Sequence, residues 1–198
     1  MRPGIRSLLV GGIVLLAGLA VATAPSIDRV VGPFELVGGL GDTVDARLYS
    51  ATVSRVELAR ELDLAYGQDG FSYTAPSVAS EQVFVVVDVR LESAVDKVLV
   101  QYSELVIGGV TYRVAPFLPG PNILNPPAGP GIPVEGTLVF EVPTSVIDSG
   151  AAAYARLHIK SELTPQLESV PVFTLDLDGL DVERVRVVEP AAIPEDIR

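Results

Sequence analysis

Valine occupies every second position from Val83 to Val89, Leu91 continues the row, and Asp88, Arg90 and Glu92 end the opposite row. Alternation of this kind marks a half-buried strand, because successive side chains of an extended backbone point to opposite faces. Gln82 to Glu92 is therefore predicted to cross the middle of a sheet. The same alternation sets Val53, Arg55 and Glu57 against Ser54, Val56 and Leu58, which predicts a strand from Val44 to Leu58. Residues 60–67 either continue that strand or turn briefly helical, and the polar stretch from Tyr66 to Gln82, with Gly67, Gly70 and Pro76, reads as a loop. Runs at 98–107 and 110–114 flank Gly108-Gly109, and two glycines between β-rich runs predict a short hairpin because glycine accepts positive φ at no steric cost.

Later strands are predicted at 136–143, with Leu138, Phe140 and Val142 inward, and at 152–160, with Ala155, Leu157 and Ile159 inward opposite Tyr154, Arg156, His158 and Lys160. Two more, 171–177 and 180–188, surround a turn at Asp178-Gly179. Short strands, frequent Gly/Pro turns and no amphipathic helix predict an all-β fold, an antiparallel immunoglobulin-like β-sandwich.

One stretch breaks the β pattern. Leu8 to Ala24 carries no charge, and its length meets the lower limit of about 17 apolar residues for a bilayer span. Arg2 and Arg6 precede it and Asp28 follows it, so the positive-inside bias keeps residues 1–6 in the cytoplasm, makes 7–24 a transmembrane signal-anchor and sends the rest across. Residues 25–39 then read as a tether or a first irregular strand, 40–189 as one extracytoplasmic domain and 190–198 as a flexible tail. The alternative is a cleaved signal peptide, cut after Ala22 or Ala24, which would release a secreted domain.

Charge narrows the partners. Arg2 and Arg6 are two of the 14 basic residues, which leaves the exported part with 12 against 25 acidic residues, a net charge of −13. Such a surface repels phosphate backbones, so nucleic acid is not an expected partner. The chain has no cysteine, which removes disulfides, thiol nucleophiles and the lipid attachment of a bacterial lipoprotein.

The search for catalytic or metal chemistry finds little. His158 is the single histidine and is read as an exposed strand residue in a basic stripe with Arg156 and Lys160. No G-x-S-x-G elbow occurs. The acidic group Asp176, Asp178, Asp181 and Glu183 lacks calcium-loop spacing: with Gly179 at the sixth position, Thr174 and Val185 fall where ligands are needed. Glu57 and Glu61 do not converge in a strand, and the glycines from Gly38 to Gly41 precede a strand rather than open a phosphate-binding helix. No cofactor and no enzymatic activity are expected.

The segment 115–133 holds seven prolines and three glycines, so it can join neither a helix nor a central strand. It places Phe117, Leu118, Ile123, Leu124 and Ile132 on a stiff excursion. Apolar side chains on such loops either mark a partner surface or fold back to cap the sandwich.

Several stretches are familiar together: LGDTV at Leu40 to Val44, ATVSRVEL, VFVVVDVRLES, the hairpin ending GGVTYR, and PVEGTLVFEVP at Pro133 to Pro143. In that order they resemble the telokin-like, immunoglobulin-like exported domains of bacteria, the DUF4352 type, over roughly residues 36 to 160. The resemblance implies the sandwich fold and an exported, often lipid-anchored protein; this chain departs from the lipoprotein members by lacking the cysteine, and no site residues carry over. The resulting expectation is a membrane-anchored extracytoplasmic binding module, accessory to another membrane or envelope protein, with Phe117, Leu118, Ile123, Leu124 and Ile132 as partner-binding residues. Its rival is a ligand-binding domain, for calcium or an envelope glycan, freed by cleavage.

Overall fold

The computed structural model describes residues 3–23, 31–68, 71–74, 77–95, 97–116, 123–124 and 128–194. They form helix α1 (Pro3–Thr23) and strands β1 (Phe34–Gly38), β2 (Thr43–Asp45), β3 (Tyr49–Gln68), β4 (Phe71–Thr74), β5 (Val78–Ser93), β6 (Glu104–Ile107) and β7 (Val110–Arg113). After these come β8 (Val134–Val142), the short helix α2 (Thr144–Ile147), β9 (Ala155–His158), β10 (Ser169–Leu175) and β11 (Val182–Val188).

The chain divides into two units, one containing α1 and one running from Pro33 onward. Within α1 the residues after Arg6 carry no charge. Among the described residues no helix is long and apolar enough to cross a membrane.

The second unit is built from two sheets. One has the order β1-β10-β9-β6-β7; the other has β11-β3-β5-β8, with β2 and β4 paired to β3. Their inner faces share one core: Tyr49, Leu58, Val85, Val87, Leu138 and Phe140 from the second sheet pack with Leu105, Ile107, Leu157 and Phe173 from the first. Two sheets that hide their apolar faces against each other make a β-sandwich, and the alternation read from Val83 to Leu91 supplies its central strand. The other face of β5 is apolar at Phe84 and Val86, and these join Ala59, Leu62, Val139 and Val188 in a second buried cluster.

Several expectations change. The sandwich is not purely antiparallel, since β1 runs parallel to β10 and β11 parallel to β3. The two C-terminal strands surround the turn at Asp178-Gly179 as expected, but in different sheets: β10 lies between β1 and β9, and β11 joins the other sheet at β3. Gly179 makes that turn with φ +74, a conformation that only glycine adopts cheaply.

The loop expected over 66–82 is largely strand. Gln68 pairs with Phe71, and β5 begins at Val78. The dipeptide between Gln68 and Phe71 is Asp69-Gly70, the signal for a two-residue hairpin, which the polar composition around it concealed. The strand expected from Val98 is confined to Glu104–Ile107, because Val98 bridges Ala128 instead and ties down the end of the Pro-rich excursion. Phe34–Gly38, in the stretch read as a tether or a first irregular strand, is the edge strand β1. In the expected tail, Ala192 exchanges both backbone hydrogen bonds with Glu135, while residues 195–198 lie outside the described set.

Candidate binding cleft beside the Pro-rich excursion

The β6–β7 hairpin turns on Gly108 and Gly109, both at positive φ, and sets Glu104 opposite Arg113. From Arg113 the backbone continues into Val114, which bridges Phe140, and Ala115, whose N–H donates to the Val139 carbonyl. The excursion therefore leaves the sandwich from a fixed point. Upstream of β6, Tyr102 N–H donates to the Lys160 carbonyl, so 101–103 is held beside β9 as well.

These segments enclose a cleft of about 500 Å³. It is lined by Gln101, Tyr102, Ser103 and Glu104, by Arg113 to Pro116, and by Leu124 and Leu163. The volume falls in the range of sites that hold small ligands, roughly 300–1,000 Å³. Tyr102 and Leu163 are exposed, while Leu124 is half-buried and packs on the core.

Three polar groups give the cleft its character. The Glu104 carboxylate is held 2.6 Å from Lys160 Nζ, both half-buried or deeper, so its charge is matched within the protein. Arg113 forms no ion pair among the described residues. Ser103 is 3 % exposed, and its Oγ finds no hydrogen-bond partner among the described residues. A buried hydroxyl left unpaired costs about 1–3 kcal/mol, so it is a group with capacity for a ligand.

The residues named from the sequence distribute unevenly. Ile123 is 1 % exposed and sits against Gly136 of β8, where an added Cβ would lie 3.0 Å from the Ile123 Cβ. Leu124 lines the cleft. Ile132 is exposed, beside Gly131 at φ +69. Phe117 and Leu118 lie outside the described residues. The excursion thus caps the sandwich at Ile123 and offers apolar surface at Leu124 and Ile132.

His158 is half-buried rather than an exposed stripe residue, with Nδ1 4.0 Å from Glu35, which is itself 2.6 Å from Arg156. Burial, then the Arg156 charge, hold its imidazole below the ordinary pKa, and Glu35 and Glu104 only partly oppose them. Lys160, expected on the solvated face, is 9 % exposed because the chain leaves β9 after His158 and turns the ammonium toward Glu104. Among the described residues no group of three or more His, Cys, Asp or Glu could hold a metal ion; at the acidic turn Asp176 accepts from the Asp178 N–H.

A second cleft, about 340 Å³, lies over the outer face of the other sheet. Two of its charged residues, Asp88 and Arg186, are already paired with each other. Asp88 accepts from Thr137 Oγ1 at 2.9 Å and from Arg186 at 3.1 Å, and Arg186 Nε lies 2.5 Å from Glu57 Oε2, a charge contact outside hydrogen-bond geometry.

No protein-family model and no curated protein matches the chain. Two solved structures are similar to it: a proposed lipoprotein from Staphylococcus aureus, with TM-score 0.45 and 9 % identity, and an uncharacterized β-sandwich protein from Clostridium difficile 630, with TM-score 0.40 and 11 % identity. Each comparison covers 74 % of this chain and 96 % of the other.

Proposed function

We propose that this protein is an extracytoplasmic immunoglobulin-like binding module, held at the membrane by its N-terminal helix and accessory to another membrane or envelope protein. The observation that carries this reading is the cleft at the start of the Pro-rich excursion, where apolar Leu124 and Leu163 surround a buried hydroxyl without a partner. A protein that binds needs such a surface fixed on a stiff scaffold, and the sheet bridges at Val114 and Val98 fix this one. Support for the anchor comes from the sequence of Leu8 to Ala24, uncharged and preceded by Arg2 and Arg6. A tether of this kind raises the effective concentration of the module near a membrane partner.

Purification from membranes of the native host in mild detergent tests the reading. A companion protein should co-purify in a fixed ratio, and Ile132→Glu, which places a charge on an exposed apolar position, should reduce its recovery several-fold without loss of the module itself. Recovery of the protein alone from the native source would contradict the accessory role.

A further inference from the structure

We infer that the cleft between 101–104 and 113–116 receives an apolar chain that ends in a carboxylate. The inference rests on the reading of this cleft as the binding site and assigns the chemistry of what enters it. Charge decides the head group. Arg113 lines the cleft and has no acidic partner among the described residues, in a protein whose net charge is −11. Glu104, its cross-strand neighbour, does not neutralise it, because Lys160 lies 2.6 Å from the Glu104 carboxylate and takes that charge. Arg113 therefore stands ready for an anion from outside, and a planar guanidinium matches a carboxylate in two parallel hydrogen bonds.

Ser103 adds the second contact. It belongs to the same lining, and its hydroxyl has no partner among the described residues, so it donates to the carboxylate that Arg113 holds. The remainder of the ligand is set by the rest of the lining: Val114, Ala115, Pro116, Leu124 and Leu163 present no ionisable group, which suits a hydrocarbon or aliphatic side chain. A short fatty acid and the free C-terminus of an apolar polypeptide share this chemistry, and both fit the description.

Isothermal titration of the full chain in phosphatidylcholine nanodiscs, with empty nanodiscs as blank, tests the assignment. The probes are hexanoate against hexanamide, and N-acetyl-Leu-Leu against its C-terminal amide. At least one carboxylate should bind saturably with its amide about tenfold weaker or more, the scale of one lost charge-assisted contact. Heat from the peptide alone assigns a polypeptide terminus; heat from hexanoate, with or without the peptide, assigns a small amphiphile. Arg113→Gln should reduce carboxylate binding to the level of the amide, and Arg113→Lys should retain part of it. Ser103→Ala should weaken carboxylate binding while leaving the urea midpoint unchanged or higher, since it removes an unsatisfied buried group. Absence of heat from both carboxylates, equal binding of acid and amide, or an unaffected Arg113→Gln variant would overturn the proposal. A companion protein recovered while both carboxylates fail would leave the accessory role standing and refute this site chemistry; binding of hexanoate without any companion would do the reverse.

Discussion

Replacement of Tyr49 by alanine is expected to destabilise the sandwich by about 3–5 kcal/mol, the range for truncation of a fully buried aromatic side chain. Tyr49 is 0 % exposed, opens β3 in one sheet, and sends its hydroxyl 2.7 Å to the Ile159 carbonyl, just beyond β9 in the other. It is thus both core volume and a polar link between the sheets. Burial, reinforced by Glu168, raises the phenol far above its ordinary pKa, so it stays a donor at any physiological pH. Tyr49→Phe separates the two roles: it keeps the ring, orphans the Ile159 carbonyl, and should cost about 1–3 kcal/mol. Urea unfolding of the full chain in mild detergent, followed by tyrosine fluorescence because the chain has no tryptophan, measures both. A midpoint for Tyr49→Phe within error of the unmodified protein would show that the link is not made.

Phe140→Ala should have a loss of similar size, about 3–5 kcal/mol, for a partly different reason. Phe140 lies at 0 % exposure in the middle of β8, pairs with Val85 of the central strand, and is bridged by Val114. Its removal leaves a cavity under the point where the excursion departs. The same urea experiment should show the lower midpoint, and hydrogen exchange at Ala115, whose N–H donates to Val139, should accelerate beyond the global change. Unchanged exchange at Ala115 relative to the rest of the core would show that the excursion is anchored elsewhere.

Much of the fold was legible because period-two alternation depends only on one face being buried. Val83 to Leu91, Leu138 to Val142 and Ala155 to Ile159 all place their apolar row in the shared core. What alternation does not encode is which strand lies beside which. β10 and β11 follow one another across a turn that reads locally like a hairpin, yet their partners β1 and β3 are more than a hundred residues upstream. Lys160 shows the same limit on a smaller scale: its row on β9 is polar, but the strand ends first and a distant Glu104 draws it inward.

The cleft was legible only at its margin. Leu124 was visible as an apolar residue on a stiff excursion, whereas Ser103, Arg113 and Leu163 are separated in sequence and meet through the pairing of β6 with β7 and β9. Nothing local to Ser103 announces a buried hydroxyl without a partner. The hairpin at Gly108-Gly109 was the one available signal, since it places Glu104 against Arg113 once strand register is counted.

The central claim, a binding module held at the membrane by an uncleaved helix, is tested most directly by the intact mass of the mature protein from separated membrane and soluble fractions of its native host. The account predicts a membrane-fraction protein that retains residues from Arg2 through Ala24. A soluble-fraction protein beginning at Thr23 or Pro25 would contradict it, and the cleft would then belong to a secreted domain.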